Sequence, residues 1–211
     1  MPFFTKNNKT IFFSHIPKTG GSSVHRVLRS YQWETEFMSN ERMIPCSHQH
    51  RHNTDIELIN FKENYDLSYS FTIVREPLDR IVSEFNMMAN IKKRKSGIDI
   101  LKLKNFEKFV EDTFEEYKEN NFIYDNHSGP QIEFIHEDMD VIKFGEWDNL
   151  MEKLYSFDNE LTKKFPQHYK GSTKYSAFEY VIEELNWKIS ENTIKLIEDF
   201  YSEDYKLYSN L

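Results

Sequence analysis

Apolar and polar residues alternate along the chain in a pattern that predicts strands and helices in turn. Two short apolar runs, at residues 11–14 and 70–74, are the clearest predicted β-strands, and residues 141–144 form a shorter third candidate. Each of the first two runs leads through a short polar loop into a helical pattern. This order of elements predicts an α/β protein with a small, mainly parallel sheet.

The predicted helices are recognised by apolar residues at spacings of three and four, which form one face of a helix. The C-terminal third of the chain is predicted to be largely helical. The predicted apolar faces consist of Val24, Val27, Leu28 and Tyr31; Leu78, Ile81, Val82 and Phe85; Phe106, Phe109, Val110 and Tyr117; Trp147, Leu150, Leu154 and Leu161; Phe178, Val181, Ile182 and Leu185; and Ile194, Ile197 and Tyr201.

Length and composition predict one compact domain over residues 1–211. No internal repeat and no linker rich in Gly, Ser or Pro divides the sequence. The longest candidate loop is the basic run at residues 92–97, whose Lys92–Lys95 portion is fully charged. Such runs are usually solvated loops, and the alternative is that this one gathers an acidic acceptor such as a polysaccharide.

The charge balance limits the possible partners. A net charge of −8 argues against general nucleic-acid binding, so any anion site must be local. The sole cysteine, Cys46, excludes an intramolecular disulfide and favours a reducing compartment. Since the N-terminus also carries no long apolar segment, we expect a cytoplasmic protein without a transmembrane segment.

The most informative stretch follows the first predicted strand, at residues 17–23, Pro-Lys-Thr-Gly-Gly-Ser-Ser. The glycine pair lets backbone approach a ligand closely. Backbone N–H groups at the start of the next helix suit an anion, and Lys18 adds a full positive charge. The stretch therefore predicts a phosphate or sulfate site, with a solvated loop lysine as the alternative for Lys18.

A second strand-to-helix junction, at residues 70–83, repeats this design. Pro77 stands where the first turn of a helix tolerates proline, and Arg75 lies two residues before it. Open α/β sheets bind ligands at the carboxyl ends of their strands, which is where both junctions lie. The alternative for Arg75 is a surface ion pair with Glu76 or Asp79.

The order of residues in the first loop differs from the common ATP and GTP loop, Gly-x-x-x-x-Gly-Lys-Ser/Thr, because here the lysine precedes the glycine pair. The stretch resembles the 5′-phosphosulfate loop of sulfotransferases that use 3′-phosphoadenosine 5′-phosphosulfate (PAPS), in their carbohydrate and heparan sulfate branch, bacterial members included. Arg75, Pro77, Arg80 and Ser83 resemble that family's second signature, which holds the 3′-phosphate.

The resemblance implies a three-layer fold of the P-loop nucleotide-kinase type. It also implies that PAPS is the donor co-substrate, with Lys18 stabilising the leaving group and no metal required. Arg80 either neutralises the same charge as Arg75 or braces its helix. The residues implied to bind the donor are Lys18, Thr19, Gly20, Gly21, Ser22 and Ser23 at the 5′ end, Arg75 and Ser83 at the 3′-phosphate, and Lys170, Ser172 and Lys174 in a closing loop.

A general base is predicted in the histidine-rich segment at residues 47–52. Imidazole titrates near neutrality, so a neutral histidine can accept the proton of an acceptor hydroxyl. His50 matches the resembled family best and His48 is the runner-up. An exposed loop histidine and a metal site are the alternatives, and Cys46 would be the only thiolate near them.

A further stretch, at residues 124–131, resembles an Asp-Asn-His-x-x-Pro-Gln segment of bacterial members of the family. His127 and Gln131 are the predicted acceptor-binding residues there. Gly129 stands where an arginine often precedes the proline, so one contact to an anionic acceptor is in doubt. An ordinary turn would have a similar composition.

Together these features predict a sulfotransferase that moves a sulfuryl group from PAPS to a hydroxyl acceptor, a glycan or polysaccharide, by in-line transfer with a histidine base. One rival is a phosphotransferase of the nucleotide-kinase type, which would need the glycine-first loop order that this chain lacks. The other rival is a noncatalytic nucleotide- or glycan-binding protein, which would keep the phosphate loops without a base.

Overall fold

A computed structural model describes residues 3–36, 67–96, 106–121, 126–166 and 188–211. Strands and helices alternate through much of these ranges. The strands are β1 Phe3–Lys6, β2 Lys9–Ser14, β3 Glu34–Glu36, β4 Leu67–Val74 and β5 Asp140–Lys143. The helices are α1 Gly21–Ser30, α2 Pro77–Ser96, α3 Phe106–Glu119, α4 Trp147–Phe157, α5 Glu191–Phe200 and α6 Ser202–Asn210, with a 3-10 turn at Gln131–Phe134.

The sheet has the strand order β3-β1-β2-β4-β5. Its centre is parallel, because β4 pairs in parallel with both β2 and β5. At the other edge β1 runs antiparallel to β2 and to β3. The architecture confirms the predicted α/β fold with a mainly parallel centre, and it adds two strands, β1 and the edge strand β3, that the apolar pattern did not predict.

The chain forms two compact units. One consists of Met1–Val74, Gln131–Gly171 and Leu211, and contains the sheet with α1 and α4. The other consists of Arg75–Pro130 and Ser172–Asn210, and contains α2, α3, α5 and α6. The single domain predicted over residues 1–211 stays a prediction.

The first unit packs α1 and α4 against the sheet. Both helices present the predicted apolar faces, because a stripe that recurs every three to four residues lies on one side of a helix. Buried members of this core include Phe4, Ile11, Phe13, Val24, Val27, Leu28, Phe71, Ile73, Ile142, Leu150, Met151 and Leu154.

The second unit has an aromatic-rich core. Phe114 of α3 stacks on Phe200 of α5 with ring centroids 3.9 Å apart, and Tyr201 meets Phe114 edge-on at 5.4 Å. Such edge-on pairs are favourable beyond the area that they bury. The fully enclosed side chains of this core are Ile81, Val82, Phe85, Phe106, Val110, Phe114, Ile197 and Tyr201.

Two predicted boundaries were wrong. Helix α4 ends at Phe157, because Asp158 adopts an extended backbone, so Leu161 lies in the following turn although it is buried in the same core. The basic run predicted as a loop is helical as far as Ser96, the end of α2. Lysine and arginine are good helix formers, so the composition of the run is compatible with a helix.

Some predicted elements and residues lie outside the described ranges. The helix expected around residues 178–185 is one of them. Among the described helices, none is long and apolar enough to cross a membrane.

Candidate functional site

The carboxyl end of β2 is held in place by two hydrogen bonds of Ser14. Its hydroxyl donates to the Phe134 carbonyl oxygen at 2.6 Å, and its own carbonyl oxygen accepts from the Thr72 hydroxyl at 2.8 Å. All three residues belong to the first unit. The loop that follows β2 therefore starts from a fixed point on the sheet.

The loop between β2 and α1 turns through two residues in the left-handed region, Lys18 at φ 68° and Gly20 at φ 89°. Between them, the Thr19 hydroxyl donates to the Ile16 carbonyl oxygen at 2.8 Å, and the side chain is fully buried. The Thr19 hydroxyl thus stabilises the loop itself. The hydrogen bond that Thr19 is predicted to donate to a phosphate would have to come from its backbone N–H.

Both glycines are required by close packing. A Cβ atom at Gly20 would overlap the indole ring of Trp147, and a Cβ atom at Gly21 would overlap the imidazole of His15. Sequence reasoning assigned these glycines to the approach of a ligand. The structure adds that the start of α1 is pressed against Trp147, the first residue of α4.

The amino end of α1 is suited to an anion. Gly20, its N-cap residue, has no side chain that could cap the helix, and the first turn contains no acidic residue. Ser22 is exposed there, and Lys18 and Ser23 are partly exposed. A positive helix end beside a lysine and two hydroxyls attracts a phosphate or sulfate group.

Arg75 and Ser83, the residues predicted for the 3′-phosphate, lie at the start of the second unit. Arg75 follows β4 directly and is only 8% exposed, and its Nε donates to the Asp79 carboxylate at 2.5 Å. This is the ion pair that the sequence offered as an alternative, but it is buried rather than on the surface. It uses one of the five N–H donors of the guanidinium, and Ser83 lies partly buried on α2.

Arg80 braces the loop at residues 126–130. It is 1% exposed and donates to the carbonyl oxygens of His127 at 3.1 Å and Gly129 at 2.6 Å. Its guanidinium also lies 5.1 Å from the ring centroid of Tyr201. The sequence left two roles open for Arg80, to neutralise the same charge as Arg75 or to brace its own helix, and both stay predictions beside these contacts to the loop.

His127 is oriented by a buried carboxylate. Its Nδ1 lies 2.9 Å from Oε2 of Glu84, which is 3% exposed. The neighbouring Ser128 carbonyl oxygen accepts from the Tyr201 hydroxyl at 2.6 Å. Burial raises the pKa of Tyr201, with added repulsion from the Asp204 and Glu84 carboxylates, so this hydroxyl remains a proton donor at neutral pH.

Gln131, the other residue predicted to bind the acceptor, is fully buried at the start of the 3-10 turn in the first unit. Such burial does not favour direct contact with a large acceptor. The predicted bases His48 and His50 and the donor-binding residues Lys170, Ser172 and Lys174 lie outside the described ranges. Within those ranges, no three side chains come together as metal ligands.

Sequence reasoning missed Glu84 and Tyr201. Glu84 stands on α2 with a spacing that marks it only as part of a helix, and its partner His127 lies 43 residues further along the chain. Tyr201 was predicted as a core residue, and its hydrogen bond to Ser128 spans 73 residues. Neither contact leaves a local sequence signal, because only the fold brings the partners together.

Comparison with known proteins gave one match. A family model described as "Sulfotransferase family" matches residues 1–209, nearly the whole chain. No curated protein and no solved structure matches it.

Proposed function

The chain belongs to the sulfotransferase family, which makes it a PAPS-dependent enzyme of the sulfotransferase type, and we propose that its acceptor is a carbohydrate hydroxyl and its general base a histidine. The observation that supports the phosphosulfate donor is the loop at residues 15–20, in which Lys18 precedes the glycine pair and an acid-free helix start follows. This lysine-first order suits a phosphosulfate donor, and it differs from the glycine-first order of the kinase loop.

Lys18 would stabilise the charge that develops on the leaving 5′-phosphate. The same phosphate would be held by N–H and hydroxyl donors at the amino end of α1, which consists of Gly20, Gly21, Ser22 and Ser23. Fixed donors of this kind act on charge as it develops and need no rearrangement at the moment of reaction. The Thr19 backbone would complete this set.

The proposed contacts to the 3′-phosphate are Arg75 and Ser83, joined by Lys170, Ser172 and Lys174. The Asp79 carboxylate fixes the Arg75 side chain through Nε, which supports a guanidinium that is oriented before the donor binds. An arginine held in this way can bind a phosphate through two parallel hydrogen bonds, which a lysine cannot do.

The acceptor side rests on the resemblance to the carbohydrate branch. His50, with His48 as second choice, is the base that the sequence favours. His127 is the proposed acceptor-binding residue, whereas the burial of Gln131 argues against its predicted contact with the acceptor. Cys46, as the sole cysteine, supports a cytoplasmic location.

Titration calorimetry tests the donor site. We expect adenosine 3′,5′-bisphosphate (PAP) to bind at least about tenfold more tightly than ATP, because the site is built for a 3′-phosphate and not for a triphosphate chain. Equal affinities would contradict the proposal. For the Lys18→Ala variant described next, the matched control is Lys163→Ala, since Lys163 is another loop lysine and lies over the Tyr155 ring.

Lys18→Ala separates catalysis from binding. We expect kcat to fall about 10²–10³-fold while the Kd for PAP rises less than about tenfold, because the proposed contact strengthens only in the transition state. Equal losses in kcat and affinity would mean that Lys18 only binds.

Transfer of labelled sulfate from PAPS to dextran, desulfated heparin, cellobiose and 4-nitrophenol tests the acceptor class. We expect the saccharides to be sulfated in preference to the phenol. Preference for the phenol would overturn the carbohydrate acceptor. PAP binding without transfer to any of the four would favour the noncatalytic rival.

A further inference from the structure

Aromatic rings from two parts of the first unit pack against the glycine pair at the amino end of α1. A Cβ atom at Gly20 would overlap the indole of Trp147 and would also lie 3.2 Å from the Phe144 ring. A Cβ atom at Gly21 would overlap the imidazole of His15. All five residues belong to the first unit, so these contacts lie within one compact body.

The His15 ring is fixed to the sheet by a stack of aromatic rings. Its imidazole lies over the Phe13 ring, with the centroids 5.3 Å apart and the planes 19° apart. Phe13 of β2 stacks in turn on Phe71 of the neighbouring strand β4, with a centroid distance of 4.8 Å. Phe13 and Phe71 are fully buried, whereas His15 is half-buried. The sheet thereby sets the position of the imidazole against Gly21.

The Trp147 ring is fixed from the carboxyl end of β5. Phe144, the residue after β5, donates its backbone N–H to the Val74 carbonyl oxygen at 2.7 Å. Its ring meets the Trp147 indole edge-on with the centroids 5.3 Å apart, and the Phe165 ring lies 4.9 Å from the same indole. Edge-on contacts of this kind are favourable beyond the area that they bury. The indole is therefore held in place on Gly20.

Glycines without such contacts would leave the loop at residues 15–20 free to adopt many conformations. Glycine loses more backbone freedom on folding than any other residue, and both Lys18 and Gly20 adopt left-handed conformations. Donors that stabilise developing charge are effective when their positions are set before the reaction. A ring that fills the space beside each glycine restricts the backbone where the glycine has no Cβ atom to do so.

We propose that His15 and Trp147 are positioning residues for the donor 5′-phosphate, which hold the backbone N–H groups of the glycine pair where the phosphate meets them. The proposal rests on the proposed donor site and adds two residues to it. Each ring acts through the backbone of Gly20 or Gly21 and not on the reacting atoms. A loop that is ordered before the donor binds loses less entropy on binding, so the two rings raise the affinity for the 5′-phosphate.

Titration calorimetry with two ligands tests the role of Trp147. PAP carries a 5′-phosphate and adenosine 3′-monophosphate lacks it, so the ratio of their affinities reports the 5′ contact alone. We expect Trp147→Leu to raise the Kd for PAP about tenfold and the Kd for adenosine 3′-monophosphate less than about twofold. Equal weakening of both ligands, or weakening of neither, would overturn the role of Trp147.

Trp33→Leu is the matched control, since Trp33 is also buried in the first unit and donates its indole N–H to Asp158. It follows the carboxyl end of α1, a helix of ten residues and thus about 15 Å long. We expect Trp33→Leu to lower stability in urea unfolding and to leave the ratio of the two affinities within about twofold of wild type. A ratio that falls as far as in Trp147→Leu would show that any loss of core packing disturbs the site, and would overturn the proposal.

A double-mutant cycle tests the contact between His15 and Gly21. Gly21→Ala places a methyl group where the imidazole lies, and His15→Ala removes the imidazole. We expect each single variant to bind PAP about five- to tenfold more weakly, and the double variant to bind it more tightly than Gly21→Ala, because the methyl group then occupies vacated space. Losses that multiply in the double variant would overturn the role of His15. His25→Ala changes another half-buried histidine and should leave the affinity within about twofold.

Failure of the donor site itself would give a different result. A wild-type protein that binds PAP no more tightly than ATP or adenosine 3′-monophosphate would overturn the proposed donor site, and the role of the two rings with it. A wild-type protein that prefers PAP, combined with unchanged affinity ratios in Trp147→Leu and His15→Ala, would support the donor site and overturn the positioning role alone.

Discussion

Single residues in the loop at 15–20 combine chemistry with an unusual backbone. Lys18 carries the charge proposed to act on the leaving group, and it does so from the left-handed region at φ 68°. Such a conformation costs a residue with a side chain roughly 1–2 kcal/mol. Residues of this kind persist where the surrounding structure holds them, and they cluster at functional sites.

Glycine and alanine variants at position 18 separate the effect of the backbone conformation on stability from the effect of the side-chain charge on transfer. We expect Lys18→Gly to be more stable than Lys18→Ala by about 1 kcal/mol, since only glycine adopts this φ without cost, while both variants lose transfer. Urea unfolding measures the difference in stability. Asn8, at φ 62° in the turn between β1 and β2, is the matched control: its Gly and Ala variants should show a similar stability gap with transfer intact.

Gly20 combines left-handed backbone with close packing, and Gly145 allows the two to be separated. Gly145 has φ 101° with nothing near its virtual Cβ among the described residues, whereas a Cβ at Gly20 overlaps Trp147. We expect Gly145→Ala to cost about 1 kcal/mol and Gly20→Ala at least about 1 kcal/mol more, because overpacking adds to strain. Equal costs in urea unfolding would show that Trp147 simply moves aside.

At the scale of elements, Asp158 connects three parts of the first unit. Its carboxylate accepts hydrogen bonds from Lys6 at the end of β1, from the indole N–H of Trp33, and from the backbone of Glu160. Burial alone would raise the pKa of Asp158, but these hydrogen bonds outweigh it and hold the pKa below its usual value. The turn that ends α4 is thereby attached to β1.

Asp158→Asn should lower the free energy of unfolding by about 2 kcal/mol at pH 7. A lowered native pKa contributes stability above the unfolded pKa of about 4, and that contribution disappears as pH falls through the native pKa. The difference between variant and wild type should therefore shrink below about pH 4 in urea unfolding. The exposed Asp112, paired with Lys108, is the control, and Asp112→Asn should change stability by less than about 0.5 kcal/mol. A pH-independent difference would contradict the charge-based explanation.

The apolar pattern predicted the elements that carry buried stripes, and it failed where burial is not periodic. β2, β4 and β5 lie where residues 11–14, 70–74 and 141–144 predicted them. β3 is only Glu-Thr-Glu, and its strand character comes from pairing with β1. The one local sequence signal for β1 was the pair Asn7 and Asn8. In the structure both residues have positive φ, as in the tight turns that join hairpins.

In the candidate site, too, one part could be predicted from the sequence and another could not. The loop at residues 15–20 was predictable because its chemistry is contiguous in sequence, from Lys18 to the glycine pair. The cluster around His127 was only half predictable. Its loop has a recognisable composition, but Glu84 and Tyr201 reach it from distant helices through contacts that only the folded chain creates.

At the scale of the whole molecule, a chain with a net charge of −8 belongs to a family that uses a highly anionic donor. Attraction for that donor must therefore come from local positive groups rather than from the overall field. The proposed groups are the amino end of α1 and the buried Arg75. A ligand that binds the native state and not the unfolded state stabilises the native state by mass action.

We expect PAP at one hundred times its Kd to stabilise the native protein by about 2.7 kcal/mol, which raises Tm by about 5–10 °C for a chain of this size. Differential scanning calorimetry measures the shift, with ATP at the same concentration as the control. An unchanged Tm at saturating PAP would mean that PAP does not bind selectively to the folded state.

The order of segments in the first unit has a consequence for synthesis on the ribosome. Met1–Val74 supplies β1 to β4, but β5 belongs to Gln131–Gly171, and all of Arg75–Pro130 is made in between. Until β5 emerges, β4 pairs with β2 alone and its other edge is open to pairing with another chain. The nascent protein is therefore most exposed to aggregation while Arg75–Pro130 is being translated, and a pause in translation there would lengthen that exposure.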